Sequence, residues 1–219
     1  QEVLDHNRTH LPYRRWCPHC VSGKLKNPPH KREGPNRLRD IDLVAVDYCH
    51  LKSLASESPV VVVVFRDQKT RFGGAVCLRE KGPGDIKGVK RVVEMIRALG
   101  HPKLLLKSDQ EPALVAMLDA VGKQLGRPVL YEYSPVGESQ ANGIIERGIQ
   151  TLEEQVRVIK LYTESMVKAD IPVAHPAFQW LVEHSAALIS KYLVGTDGRT
   201  AWQRHRGKRC LEFEHPWAS

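Results

Sequence analysis

The sequence predicts an α/β protein in which a mixed five-stranded sheet is flanked by helices. Two observations predict this class. Short apolar runs rich in Val, Leu and Ile alternate with longer stretches that carry apolar residues at helical spacing. The first three strand segments follow one another through short turns, whereas the last two are each reached through a helix. We therefore expect the first three strands to be antiparallel and the later strands to add in parallel.

The first strand is predicted to run up to Asp47, with apolar residues on both faces, which is typical of a central strand. The second is an uninterrupted apolar run, and the turn after it is supplied by Asp67, Gln68 and Lys69. The remaining strands are also predicted from short apolar segments. The second to fifth strands cover residues 60–65, 73–78, 103–107 and 129–133.

Helices are predicted where apolar residues recur every three or four positions. They cover residues 85–99, 112–125, 145–159 and 176–193. The first is expected to end at Gly100 and the second at Gly126, because glycine readily adopts the left-handed conformation that closes helices. Residues 134–143, before the long third helix, contain two glycines and few apolar anchors, so we expect a mobile loop there.

The composition argues against membrane insertion and secretion. The longest apolar run has six residues, far below the roughly 20 that cross a bilayer, and the N-terminus lacks the apolar stretch of a signal peptide. Two of the five cysteines form a Cys17-x-x-Cys20 pair. This usage favours a reducing compartment and metal ligation over disulfide bonds.

The net charge of +8 is concentrated at the two ends of the chain. Residues 1–39 hold nine Lys/Arg against three Asp/Glu, residues 40–198 hold nineteen against twenty, and residues 199–219 hold five against two. A nearly neutral body with basic ends is typical of a catalytic core flanked by segments that bind a polyanion. Solubilising charge on flexible termini is the alternative.

Three acidic residues stand where such a sheet would present reactive groups. Asp47 ends the predicted first strand, Asp109 follows the fourth, and Glu146 lies just inside the long helix. Parallel pairing of strands one and four would bring the two aspartates side by side. Converging carboxylates stay ionised when divalent cations lie between them, and two Mg²⁺ or Mn²⁺ ions there would support phosphoryl transfer. Nearby acids that could be confused with this triad are Asp40, Asp42, Asp67, Glu111 and Glu138.

The N-terminal segment carries donors that suit a structural zinc site. His6, His10, Cys17 and Cys20 supply two imidazoles and two thiolates, the ligand types of a closed tetrahedral Zn²⁺ centre. Without a metal, so short and basic a segment has too little apolar surface to fold. His19 and His30 are alternative ligands, and His30 could replace His6. Two unrelated free cysteines near surface histidines are the competing interpretation.

The spacing of Asp47, Asp109 and Glu146, together with the string Ser139-Gln-Ala-Asn-Gly-Ile-Ile-Glu-Arg147, resembles the catalytic core of retroviral and retrotransposon integrases. The Asn142-Gly-x-x-Glu-Arg pattern is most similar to the copia-like branch. Thr200-Ala-Trp-Gln-Arg-His-Arg-Gly-Lys208 resembles the segment that closes copia-like cores, so the resemblance extends over the whole chain.

The resemblance implies an RNase H-like fold and a polynucleotidyl transferase that processes DNA 3′ ends and joins them to target DNA. It implies a zinc-binding segment at residues 1–39, an integrase core at 40–198 and a basic extension at 199–219. The small barrel that usually follows an integrase core is not expected within these residues. We therefore expect a truncated chain or an excised polyprotein segment. The resemblance also implies Mg²⁺ or Mn²⁺ at the triad, element-end and target DNA as partners, a homo-oligomer, and a nuclear or cytoplasmic location.

Several features depart from the family. Gln-Glu-Pro-Ala-Leu follows Asp109, the histidines and cysteines are separated by only six residues, and Gln150 and Glu153 stand where retroviral enzymes carry two DNA-holding lysines. Neighbouring cations on the helix and both basic ends are the candidate replacements. The predicted DNA contacts are Arg14, Arg15, Lys24, Asn142, Arg147, Arg157, Lys160, Arg204 and Arg206.

Two further functions remain open at this point. One is a nuclease or transposase on the same fold, which would cut DNA without yielding the joined product of an integrase. The other is a non-catalytic, zinc-dependent nucleic-acid-binding protein derived from an integrase. Such a protein would bind DNA without Mg²⁺ or Mn²⁺ between Asp47 and Asp109.

Overall fold

The computed structural model describes residues 2–23, 41–52, 59–134 and 143–211. Five strands and seven helices lie in these ranges. The strands are β1 (Asp42–Leu51), β2 (Val60–Asp67), β3 (Gly73–Leu78), β4 (Leu104–Ser108) and β5 (Val129–Tyr133). The helices are α1 (Glu2–Thr9), α2 (Pro18–Gly23), α3 (Ile86–Ala98), α4 (Pro112–Leu125), α5 (Gly143–Val167), α6 (Pro176–Tyr192) and α7 (Ala201–Arg206).

The five strands form one mixed sheet in the order β3-β2-β1-β4-β5. The β1–β2 and β2–β3 pairs are antiparallel, whereas β4 and β5 add in parallel beyond β1. This arrangement confirms the predicted fold class. β1 and β2 are central strands whose side chains are buried on both faces, which explains their continuous apolar sequences.

Helices cover both faces of the sheet. α3 and α4 pack on one face, where large side chains such as Phe65, Leu106 and Met117 are fully buried. α5 and α6 pack on the other face, together with Leu43, Ala45 and Val64 from the strands. Alternate residues of β1 therefore point to opposite helical layers, and the odd-numbered ones point towards α5.

Two elements differ from the sequence-based expectation. β1 does not end at Asp47 but continues to Leu51, because residues 48–51 pair with residues 60–63 of β2. The N-terminal segment, whose sequence shows no sustained helical or strand period, contains α1 and α2. Both helices are too short for a clear period in the sequence, and each buries one of the predicted zinc ligands, His6 in α1 and Cys20 in α2. The loop expected to be mobile lies, except for its end residues Ser134 and Gly143, outside the described residues.

A buried polar network ties the sheet together at the edge where β1 and β4 begin. His101 lies between two carboxylates, with its Nδ1 3.0 Å from Asp42 Oδ2 and its Nε2 3.0 Å from Asp67 Oδ1. Asp67 also accepts hydrogen bonds from the backbone N–H and the hydroxyl of Thr70. The hydrogen bond to Asp67 raises the pKa of His101 despite burial. Burial of Asp67 would raise its pKa, but the bonds from His101 and Thr70 outweigh this and lower it.

We expect His101→Gln to lower the free energy of unfolding by about 1–3 kcal/mol near pH 6, because it leaves two carboxylates without their shared cation. Because the pKa of His101 is raised on folding, its stabilising contribution is fully present below the unfolded pKa of about 6.5. This contribution is lost as the pH rises through the folded-state pKa. Because the pKa of Asp67 is lowered on folding, its stabilising contribution is present above about pH 3.9 and is lost as the pH falls through the folded-state pKa. The difference from wild type should therefore be largest between about pH 4 and 6.5 and should shrink at pH 9.

Urea unfolding at pH 5, 6 and 9 checks this prediction. His50→Gln is the matched control, since His50 is exposed on β1. A cost for His101→Gln that does not change with pH would show that the imidazole acts by shape alone.

Candidate active site and metal centre

The register between β1 and β4 places two of the predicted acids at the same level. Leu43 pairs with Leu105 and Ala45 with Lys107 in the parallel ladder. Continuing this register by two residues puts Asp109, directly after β4, beside Asp47 in β1. Both aspartates have the parity of Leu43 and Leu105, whose side chains lie under α5 and α6.

The third acid comes from the first turn of α5. Glu146 is exposed there, while its neighbour Ile145 is fully buried and anchors the helix start on the sheet. Leu152, two turns further on, is also buried in this layer. Packing of α5 across β1 and β2 thus brings Glu146 towards the aspartates.

Asp47 interacts electrostatically with the other acids. Its pKa is raised to about 6, mainly by burial, and Asp109, Glu111 and Glu146 raise it further. The backbone N–H of Tyr48 donates to Asp47 Oδ1 at 2.7 Å and opposes this shift. The site therefore concentrates negative charge on a half-buried carboxylate, which is the environment that a divalent cation stabilises.

A fourth acid, Glu111, is held beside the triad by a cation. Lys81 Nζ lies 2.6 Å from Glu111 Oε1 and 5.2 Å from the centre of the Tyr48 ring. The backbone N–H of Glu111 donates to Asp109 Oδ1 at 3.2 Å. Lys81 therefore neutralises Glu111, whereas the ion pairs of the described residues include no cationic partner for Asp47, Asp109 or Glu146.

The chemistry of the triad suits Mg²⁺ or Mn²⁺, which prefer carboxylate oxygens. Asp47, Asp109 and Glu146 would hold these ions. Within the described ranges, however, the His/Cys cluster is the one group of three or more potential ligands whose atoms all lie within 4.8 Å of each other. The three acids are thus near one another but more widely spaced, as expected of like charges.

The His/Cys cluster consists of the four residues predicted to bind zinc, His6, His10, Cys17 and Cys20, all of them buried. Cys17 Sγ is 3.3 Å from His10 Nδ1, and Cys20 Sγ is 3.4 Å from His6 Nε2 and 3.9 Å from His10 Nδ1. A tetrahedral zinc with bonds of about 2.0–2.3 Å separates its ligand atoms by about 3.3–3.8 Å. The cluster could therefore hold Zn²⁺, while the alternative ligand His30 lies outside the described residues.

The cluster rests on the middle of α5. Cys17 and Cys20 pack on the fully buried Val158, and Gly23 of α2 approaches the same residue so closely that a Cβ atom would collide with it. Gln155 is buried and donates from Nε2 to the carbonyl of Thr9 at 2.6 Å. The N-terminal segment and the helix that carries Glu146 are therefore packed together.

Most of the predicted DNA contacts occupy defined places in the fold. Arg14 pairs with Glu2, Lys160 with Glu164, and Arg204 with Asp197, while Arg157 Nε donates to the carbonyl of Gly23. Arg15, Arg147 and Arg206 are exposed. Lys24 and Asn142 lie outside the described residues. Of the rival acids, Asp42 and Asp67 belong to the His101 network at the opposite edge of the sheet, and Asp40 and Glu138 are not described.

Three residues that matter for the site were not singled out from the sequence. Gln155 interrupts the apolar stripe of α5, Arg66 interrupts the apolar pattern of β2, and Lys81 lies in a glycine-rich turn. A polar residue at an apolar position is the one signal that could have pointed to Gln155 and Arg66.

The strand order of the sheet and the helical layers on its two faces match the fold of integrase catalytic cores. Two solved structures with this fold are the HTLV-2 integrase catalytic core domain in complex with magnesium (14% identity, TM-score 0.53, covering 74% of this chain and 95% of that one) and the BIV integrase catalytic core domain (16%, 0.52, 75% and 93%). The simian T-cell lymphotropic virus intasome in complex with the PP2A regulatory subunit B56 gamma is similar over 91% of this chain and 66% of that one (17%, 0.60).

No family model matches the sequence, and no curated protein matches it. At these sequence identities, the similarity to the solved structures shows a shared fold and does not by itself assign an activity. The described helices include none that is both long and apolar enough to span a membrane.

Proposed function

We propose that this chain is a metal-dependent polynucleotidyl transferase of the integrase type, which trims DNA 3′ ends and joins them to target DNA. The observation that carries the proposal is the strand register that aligns Asp47 with Asp109, together with the repulsion by which Asp109 and Glu146 raise the pKa of Asp47. A single acid at a strand end is usually a solvated residue. Asp47, however, is half-buried and is repelled by both Asp109 and Glu146, which calls for a different explanation.

Two Mg²⁺ or Mn²⁺ ions held by Asp47, Asp109 and Glu146 would supply the chemistry of phosphoryl transfer, activation of the attacking oxygen and stabilisation of the leaving oxygen. The residues of the chain set the positions of the carboxylates that would hold these ions. The β1–β4 ladder sets the spacing of Asp47 and Asp109, and the buried start of α5 sets the position of Glu146. Lys81 keeps Glu111 from adding an uncompensated charge.

The distribution of charge supports DNA as the substrate. The core from residue 40 to 198 is nearly neutral, and the excess of Lys and Arg lies in the segments on either side. Phosphate contacts from basic segments supply most of the non-specific affinity for DNA. We extend the proposal to element-end and target DNA as partners, zinc in the N-terminal cluster, assembly as a homo-oligomer, and an origin in an intracellular, copia-like retrotransposon.

Incubating the protein with blunt duplex ends, a supercoiled plasmid and Mn²⁺ tests the proposal. An integrase is expected to yield plasmid covalently joined to the duplex, whereas a nuclease of the same fold would cut without joining. DNA binding with neither product, and no Mn²⁺ bound between Asp47 and Asp109 in a soaked crystal, would indicate the non-catalytic zinc protein instead.

A further inference from the structure

A crevice with arginines in its lining lies on the α5 side of the sheet and adjoins the carboxylates, because its wall residue Val64 pairs with Asp47 and Gly148 is two residues from Glu146. It is a small, open cavity of about 30 Å³ between β2, β3, α5 and α6. Its polar lining includes Arg66, Arg71 and Ser190. The remaining walls are apolar or glycine, among them Val64, Gly148 and Leu152.

Arg66 is an unusual residue for this position. It follows Val62 and Val64 on the face of β2 that packs against α5, where an apolar side chain is expected. Gly148 leaves room for it: a Cβ there would lie 3.2 Å from Arg66 Cδ and 3.4 Å from Nη1. The helix is therefore shaped to accept a guanidinium group beneath its second turn.

Other arginines surround Arg66. Burial and the charges of Arg71, Arg147 and Arg204 lower its pKa to about 10. No carboxylate of the described residues forms an ion pair with Arg66. Arg204 is held by Asp197 and by the carbonyl of Thr70, so it contributes charge at a fixed place. Like charges gathered at a partly buried point are costly unless an anion offsets them.

We propose that this crevice binds a phosphate group, with Arg66 as its central ligand and Arg71 and Arg147 beside it. Guanidinium groups match phosphate oxygens in paired hydrogen bonds, and a doubly charged anion would compensate several of them at once. The phosphate could belong to a DNA backbone or to free inorganic phosphate. Phosphate binding is measured on the folded chain itself, so the proposal can be tested without any catalytic activity.

Thermal unfolding in sodium phosphate, compared with sodium chloride at equal ionic strength, measures the proposed binding directly. We expect phosphate to raise the unfolding midpoint of the wild-type chain by about 2–4 °C. Arg66→Met should abolish this rise, and its midpoint in sodium chloride should equal or exceed that of wild type because an uncompensated charge is gone. Arg147→Met, at an exposed position, should reduce the rise even if Arg66→Met folds poorly.

Lys90→Met is the matched control, since Lys90 is exposed on α3, on the other side of the sheet. It should retain the full phosphate-dependent rise. A wild-type chain that does not respond to phosphate, or arginine variants that respond as wild type does, would overturn the proposal.

Duplex DNA binding at several salt concentrations then identifies the source of the phosphate. If the group belongs to DNA, Arg66→Met should reduce the slope of log affinity against log salt by about one. If the ligand is free phosphate, that slope should not change, and the phosphate-dependent stabilisation should persist in the DNA complex.

Discussion

The Asp109→Asn variant is expected to lose strand transfer while keeping its affinity for DNA. The substitution preserves the size of the side chain but removes one of the charges that would hold the metal ions. Mutating a residue that only orients a metal ligand typically lowers metal affinity or activity by roughly 10–100-fold. Loss of a ligand itself should therefore lower the strand-transfer rate by more than about 100-fold. Non-specific DNA affinity depends on Lys and Arg, which the variant keeps.

Stability separates this loss from a folding defect. Asp109 adds to the repulsion at Asp47, so the variant without metal should be at least as stable as wild type at pH 7. Joined and cleaved products on a sequencing gel, together with a melting curve, give both readouts. Asp119→Asn is the matched control, because Asp119 is an exposed residue of α4 paired with Lys123. Retained joining by Asp109→Asn would contradict the assignment of the triad.

Removing a zinc ligand should release the N-terminal segment from the core. In Cys20→Ser, or after chelation, we expect bound zinc to be lost and α1 and α2 to unfold, since apart from the cluster they bury little of their own surface. Zinc binding provides roughly 10–16 kcal/mol of folding free energy in small zinc domains. The sheet should stay folded because its two apolar layers do not depend on the cluster.

Metal analysis and amide hydrogen exchange measure these effects. Protection should fall in residues 2–23 and in the part of α5 around Val158 while the sheet amides are unchanged. Cys210→Ser, which alters a cysteine outside the cluster, should keep its zinc. His6→Ala should lose zinc and His30→Ala should keep it. Full zinc content in Cys20→Ser would show that the cluster is not the binding site.

Much of the fold follows from local patterns. β3, α4 and β5 have the predicted bounds, and the parallel addition of β4 and β5 follows from the helices that precede them. The alignment of Asp47 with Asp109, reached by continuing the β1–β4 register, was also expected from the sequence, since parallel strands joined through helices meet at their carboxyl ends. The predicted end of β1 at Asp47 was wrong because strand length depends on the partner, and β2 supplies pairing up to Leu51.

Contacts between residues far apart in the chain could not be predicted from local sequence patterns. The sequence shows that His6, His10, Cys17 and Cys20 have the spacing for a metal, but not that the cluster rests on Val158 of α5. It shows His101 and Asp67, 34 residues apart, but not their ion pair. Such contacts join residues distant in the chain, and their partners are chosen by the packing of whole layers.

The sequence by itself determined the class of fold and pointed to three acids and four His/Cys residues as candidate metal ligands, because each depends on periodicity or on donor type within a short stretch. Only the tertiary structure decided that Lys81 neutralises Glu111, that the zinc segment packs on the helix carrying Glu146, and that Arg66 lies beneath Gly148 among other arginines. The physical reason is that charge and burial act through space, so the surroundings of a side chain depend on how sheet and helices are stacked.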